Sequence, residues 1–528
     1  MALRVQGKLY QASAALVCAA LLLTACGSND STGNDGGGGD GGGTSGPARG
    51  DLLADPALVR TVTTSELLAD LNDPVNQALL LQAGAPLCDF AVYKIRYATL
   101  DDKGGSTDAS GALMAPTGAG TRCSGARPVV LYARGTSTDR DVDLTNLDNA
   151  QNAEGLLIAA FFASQGFLVV APNYTGYDTS TLDHHPYLVA EAQAADMTDA
   201  LAAARRALPV AAASSTTDDG RLYVTGYSQG GHVAMATQRA LEREGLTVTA
   251  SAPMSGPYAL SAFVDAVFAG RVTGGATVLG SFLFTAYQHA YGDVYSSPAQ
   301  MFEPQYAAGI ESLFPSDWPR GQLYDEGRLP RDAFFSLTPP DSAYAGLTPP
   351  STPESFVPLF ERGFAASGFL IRNDYRLAYL QDMAAHPDGF WPDTTDAAPP
   401  DAPQLPLRQA LARNDLRNFT PRAPTLLCGG HDDPTVFWLN TQAMQAYWAT
   451  QPLGGSVSVL DVDAAPSGSG DPYGDLKQRF AVAKDLVAAQ AVAGGATDGG
   501  WQAVLETYHA GLVAPFCLEA VQEFFETH

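Results

Sequence analysis

The order of apolar and polar positions divides the chain into three stretches. From Asp89 to about Gly256, short β-prone runs alternate with longer helical ones. FAVYKIRYATL (90–100) alternates apolar and polar residues, as a half-buried strand does, and GALMAPT (111–117) can pair with it as a hairpin. RPVVLYARG (127–135), FLVVAPNY (167–174), RLYVTGYS (221–228) and LTVTASAPMSG (246–256) are short apolar runs bounded by Gly or Pro. Between them, EGLLIAAFFASQG (154–166), PYLVAEAQAADMTDALAAARRAL (186–208) and the segment from Gln229 read as helices, the first ending at Gly166. Continuous apolar strands separated by helices predict a mostly parallel sheet covered on both faces, a doubly wound α/β architecture.

The alternation breaks between about Pro257 and Pro421. Aromatic-rich helical stretches such as ALSAFVDAVFAG (259–270) and SFVPLFERGFAASGFLIRNDYRLAYL (355–380) flank the Pro-rich loop SLTPPDSAYAGLTPPSTPESF (336–356). APTLLCGGHDDPTV (423–436) and GSVSVLDVD (455–463) resume the strand pattern, and a last helix is expected from about Pro515. Residues 51–256 and 422–528 therefore read as two parts of one core. Residues 257–421 read as a helical cap inserted between two strands, above the carboxyl ends where ligands bind.

The first fifty residues stand apart. Arg4 and Lys8 precede an apolar run from Ala12 to Leu23, too short for a permanent span, so residues 1–25 read as an export signal. Leu23-Thr24-Ala25-Cys26 resembles a bacterial lipobox, which makes Cys26 a lipidation site, and Gly27 after it favours the outer membrane. Residues 26–50 are dominated by Gly, Ser, Asp and Asn and read as a flexible tether. The expected location is the cell envelope, with membrane contact through the lipid. Export also bears on the cysteines: Cys88, Cys123, Cys428 and Cys517 form an even set for an oxidising compartment, with three possible pairings. Cys88 with Cys123 and Cys428 with Cys517 is preferred, because each pair flanks one end of the fold.

Charge narrows the partners. Thirty Lys and Arg against 56 Asp and Glu give a net charge of −26, which argues against a nucleic-acid groove. Neither an HExxH motif nor paired CxxC motifs occur, and adjacent His184 and His185 diverge, so a metal site has little support.

Gly226-Tyr227-Ser228-Gln229-Gly230 fits G-x-S-x-G, and its context is a strand before and a helix after. A serine on so tight a turn needs strained backbone angles, and side chains two positions away on either side would collide, which glycine avoids. The turn lifts Ser228 above the sheet, at the positive end of the following helix, with the Gln229 N–H placed to bind an oxyanion.

With VVLYARGTS, GFLVVAPNYTGYDTS, HHPYLVAEAQAADMTDALAAARRAL, GYSQGGHVAM, CGGHDDPTV and YHAGLVAPFC spread over about residues 90–520, the chain resembles exported α/β-hydrolases of the bacterial and fungal secretory-lipase-like group. The resemblance implies hydrolysis of carboxylic esters, from short acyl esters to lipids or polymer esters, by a cofactor-free serine, acid and histidine in that chain order. The order excludes His184 and His185. His232 lies in the helix after Ser228, His289 and His386 in the insertion, and His431 before the acid, while His528 is terminal. His509, in a long segment after the last strand, is the expected base. For the acid, Gly430 to Asp433 followed by Pro434-Thr435-Val436 fits the group's pattern, so Asp433 is preferred to Asp432. The second oxyanion donor is expected in the turn after VVLYA, where many relatives carry His-Gly and this chain has Arg134-Gly135; Gly135 and Thr136 both remain candidates. A serine peptidase or amidase using the same residues is the alternative, with Arg362, Arg372 or Arg376 to grip a chain terminus. A non-catalytic surface lipoprotein is the remaining reading.

Overall fold

A computed structural model describes residues 46–72, 77–148, 153–211 and 215–528; Cys26, the signal and nearly all of the tether lie outside the described residues. Its strands are β1 (Ala57–Val62), β2 (Asp89–Leu100), β3 (Ser106–Thr117), β4 (Ala126–Ala133), β5 (Leu168–Pro172), β6 (Thr217–Tyr227), β7 (Ala250–Met254), β8 (Phe335–Ser336), β9 (Phe364–Ala365), β10 (Thr425–Gly429) and β11 (Val457–Asp461). Nine form one sheet in the order β1-β2-β3-β5-β4-β6-β7-β10-β11. From β5 to β11 the pairing is parallel, and β1, β2 and β3 add an antiparallel edge.

Side chains of successive residues point to opposite faces, so each apolar strand feeds two cores. Val129, Leu131, Val170 and Val224 join Met197 and Leu201 from the helix Ala190–Ala207 and Val233 from the helix Gln229–Arg243. Val130, Tyr132, Val169 and Tyr223 join Ile158 from the helix Glu154–Phe161 and Phe516, Val521 and Phe525 from the helix Ala514–Glu526. Every residue of β5, β7 and β10 is buried, as a doubly covered sheet requires.

Three details depart from the sequence pattern. β1 was not marked by it, because this edge strand is mostly exposed and held by backbone pairing with β2. The helix expected from Pro186 begins at Ala190, since Leu188 has a φ of 55° and cannot continue a right-handed helix. The segment carrying His509 is helical rather than a loop: a helix at Trp501–Thr507 runs into a π-helical turn at Tyr508–Val513 and then into the last helix.

β7 and β10 are neighbours in the sheet, and residues 255–424 between them form the insertion. It contains the helices Leu260–Phe268, Ala276–Tyr291, Asn373–Ala385 and Pro406–Asn414 and the small parallel pair β8 and β9. Buried ion pairs hold it: Arg408 with Asp265 and Asp382, each at 2.8 Å, and Arg417 with Asp388 at 2.6 Å and Asp415 at 2.7 Å. A buried guanidinium needs such partners, because an isolated charge is costly away from water. Core and insertion form one compact unit over residues 47–528. Disulfides join Cys88 to Cys123 and Cys428 to Cys517, with Cα separations of 5.3 and 5.7 Å. Among the described residues no helix is long and apolar enough to cross a membrane.

Candidate active site

β6 ends at Tyr227 and the next helix begins at Gln229, leaving Ser228 alone to make the turn. Its φ of 60° and ψ of −120° are unfavourable for any residue with a side chain, and its N–H donates to the Met254 carbonyl at 3.0 Å. The flanking glycines are needed for room: a Cβ on Gly226 would lie 2.4 Å from the Ala133 carbonyl oxygen, and one on Gly230 only 2.0 Å from it. Ser228 thus bears the strain, and the glycines let β4 and its following loop approach closely.

The tertiary structure brings Ser228, His509 and Asp433 into one chain of hydrogen bonds. His509 Nε2 is 2.9 Å from Ser228 Oγ, and His509 Nδ1 is 2.6 Å from Asp433 Oδ2. Asp433 is 1% exposed, and its other oxygen accepts the N–H groups of Thr435 at 2.9 Å and Val436 at 3.0 Å. Asp432 instead faces outward, 3.8 Å from His431. The other histidines are engaged elsewhere. His232 is buried against the Asn414 carbonyl, its pKa pushed down to about 4 by burial. His184 pairs with Asp102 and stacks on His289, and His431 pairs with Asp461.

Tyr227 was not marked by the sequence. Its hydroxyl donates to the His509 carbonyl oxygen and its ring lies 5.0 Å from the imidazole. Burial, with the Asp433 charge nearby, holds the phenol well above its ordinary pKa, so it stays a donor. It anchors the backbone of the π-helical turn that presents His509.

Gly135 and Thr136 differ sharply. The Gly135 N–H is taken by the Glu154 carboxylate, at 2.9 and 3.2 Å, and cannot also face an oxyanion. Of the two amides the sequence left open, Gly135 is therefore occupied by a side chain, and Thr136 is the remaining candidate. The Gln229 N–H belongs to the first turn of its helix, where no intrahelical acceptor exists. His185, read from sequence only as a poor chelator, holds the Gln229 side chain. Its Nδ1–H donates to the Thr175 carbonyl at 2.9 Å, so Nε2 accepts from the Gln229 amide at 2.7 Å. Burial and the Arg134 charge push the His185 pKa well down, which keeps the ring neutral for that role.

A pocket with a cavity volume of about 70 Å³ opens on Ser228 and Gln229. The insertion supplies most of its wall, including Leu260, Phe263, Val267, Leu283 and Phe334, and none of its lining residues is charged. The cap arginines of the alternative reading are absent from this wall. Arg376 is buried, donating to the Phe268 and Leu347 carbonyls and to Thr348, and Arg372 pairs with Asp374. Among the described residues, His431, Asp432 and Asp463 bring possible metal ligands within 4.8 Å of one another, but Asp463 is already held by Lys484 and Tyr508.

Comparison with known proteins agrees with this architecture. The model of the prolyl oligopeptidase family matches residues 156–271, the stretch containing β5, the Ser228 turn and β7. The rice cell wall degrading esterase LipA of Xanthomonas oryzae is 26% identical with a TM-score of 0.60, covering 87% of this chain and 98% of its own. A candidate hydrolase of Legionella pneumophila is 19% identical with a TM-score of 0.57, covering 81% and 96%, a likeness of fold. A search among curated proteins finds no match. Fold, site and these likenesses together define a hydrolase of the α/β-hydrolase type.

Proposed function

We propose that the chain is a serine esterase acting on carboxylic esters with an apolar acyl group. The observation that carries this reading is the uncharged pocket ending at a serine hydrogen-bonded to His509. A hydroxyl is a weak nucleophile near neutral pH and needs such a base. In the proposed reaction His509 Nε2 takes the Ser228 proton as Oγ bonds to the ester carbonyl carbon. The carbonyl oxygen becomes an oxyanion, bound by the N–H groups of Gln229 and Thr136. Collapse breaks the bond to the alcohol oxygen, which receives the proton from His509. Water then attacks the acyl-serine by the same route and releases the acid. Asp433 holds the imidazole in orientation and stabilises its cationic form.

A cavity of about 70 Å³ is several times what one water needs, roughly 10–15 Å³, so there is room beside Ser228 for an apolar acyl group. The likeness to the LipA esterase supports ester over amide substrates, whereas the prolyl oligopeptidase match is the argument for a peptidase. No charged group in the pocket wall would hold a peptide terminus. The lipobox-like run ending at Cys26 and the two disulfides support an exported enzyme, lipid-anchored in the envelope.

A fluorophosphonate probe should label the wild type and leave Ser228→Ala unlabelled. Nitrophenyl acyl esters should be cleaved faster than matched nitroanilides. Preference for the anilide would establish the peptidase reading instead.

A further inference from the structure

In the loop after β4, successive peptide groups are held by side chains that the proposed reaction does not use. In the Arg134–Gly135 peptide, the carbonyl accepts the Tyr174 hydroxyl at 3.1 Å and the N–H donates to Glu154 at 2.9 Å. In the next peptide, the Gly135 carbonyl accepts Arg134 Nη1 at 2.7 Å. The Thr136 hydroxyl is paired with the Tyr187 hydroxyl at 2.8 Å, and Tyr187 lines the pocket beside Ser228 and Gln229. Of the four backbone groups in these two peptides, three are occupied by side chains, and the Thr136 N–H is the fourth.

We infer that Arg134 is a positioning residue: by holding the Gly135 carbonyl it aims the Thr136 N–H at the reacting oxygen. The physical reason is peptide planarity. The C=O and N–H of one peptide unit point in opposite directions across a nearly rigid plane, so fixing the oxygen fixes the hydrogen. Arg134 is itself held from several sides. It is buried, its Nε donates to the Asn173 carbonyl at 3.0 Å, and its guanidinium lies 4.0 Å from the Tyr177 ring centroid and 4.9 Å from that of Tyr174. Glu154 and Tyr174 pin the preceding peptide, so the plane cannot relax by rotation of its neighbour. A donor set in place before the reaction needs no reorganisation as the oxyanion forms. Close packing fixes the location as well, since the loop passes within 2.9 Å of where a Gly230 Cβ would stand.

The inference rests on the serine-hydrolase mechanism above, and Arg134→Met, Arg134→Lys and Tyr174→Phe test it in the full chain. Three quantities are measured: kcat and KM on nitrophenyl butyrate, the inactivation rate with a fluorophosphonate, and affinity for an aryl trifluoromethyl ketone, whose hemiketal carries an oxyanion. For Arg134→Met, kcat should fall about 10²- to 10³-fold with KM within threefold, the range for losing one oxyanion donor. Ketone affinity and inactivation rate should fall in parallel, while labelling still reaches one probe per chain. Arg134→Lys should recover part of the loss, and Tyr174→Phe should lose three- to tenfold in kcat. A kcat within threefold in Arg134→Met, a loss lying wholly in KM, or unchanged ketone affinity would overturn the assignment. If Arg134→Met does not fold, Arg134→Gln, too short to reach the Gly135 carbonyl in the same way, decides by the same ketone and kcat criteria. Because the fluorophosphonate reacts whatever the natural substrate, a wild type inactive on esters refutes the ester proposal while the inactivation rates still judge Arg134.

Discussion

Gly230→Ala should damage this enzyme far more than its chemistry suggests. In an exposed helix the change is favourable by about 1 kcal/mol, because alanine loses less entropy on folding. At position 230 the new Cβ would stand 2.0 Å from the Ala133 oxygen, 2.8 Å from the Ala133 carbonyl carbon and 2.9 Å from the Arg134 oxygen. All three are backbone atoms, so no rotamer change relieves the contact. Opening the closest pair from 2.0 Å to even 3.0 Å moves the Ser228 helix about 1 Å away from the loop bearing Thr136. That separates the proposed donors Gln229 and Thr136, and a misplacement of about 1 Å costs on the order of 10² in rate. The expected loss in kcat/KM is therefore about 100-fold, or about 2.7 kcal/mol of barrier. The assay is nitrophenyl ester hydrolysis with Tm measured in parallel. Gly321→Ala is the control, since its Cβ would meet nothing within 4 Å, and it should leave rate and Tm unchanged or slightly raised. A Gly230→Ala enzyme within twofold of wild type would refute the claim that close approach of the loop sets the oxyanion geometry.

Asp433→Asn should lower kcat by about 10³- to 10⁴-fold, as loss of the group orienting the imidazole does in serine proteases, while Asp432→Asn stays within threefold. Kinetics on both variants check which aspartate acts. Asp196 is buried, accepting from the Tyr97 hydroxyl and the Thr175 N–H, and burial raises its pKa to about 7. A carboxyl whose folded pKa exceeds its unfolded value stabilises the fold at low pH and loses that contribution as pH rises through 7. Denaturant unfolding should show wild-type stability falling relative to Asp196→Asn by roughly 2–3 kcal/mol between pH 5 and 7; parallel curves would refute it. Cys428→Ser/Cys517→Ser opens a link across 89 residues and should cost up to about 4–5 kcal/mol, against less than 4 for the Cys88–Cys123 pair across 35. It should also lower kcat, because the bridge ties the strand leading to Asp433 to the helix following His509, and activity after thermal challenge reads both effects.

Short apolar runs bounded by Gly or Pro and alternating with helical stretches made the parallel strands and the helices between them legible, because strands without polar positions fit a sheet covered on both faces. The G-x-S-x-G turn was equally legible, its glycines marking where chains must nearly touch. Resemblance to the secretory-lipase-like group pointed to His509 as the base and preferred Asp433 to Asp432, a choice the fold then separated by placing Asp433 on His509. Edge strand β1 was not legible, since backbone pairing rather than buried side chains holds it. Nor was the π-helical presentation of His509, which depends on Tyr227 gripping a carbonyl 282 residues away. That Gly135 and Thr136 differ likewise needed the fold, because two neighbouring amides look identical until a buried carboxylate from a distant helix occupies one of them. Composition and periodicity report which surfaces must leave water. The direction in which one backbone N–H points is set by hydrogen bonds between segments that only folding brings together.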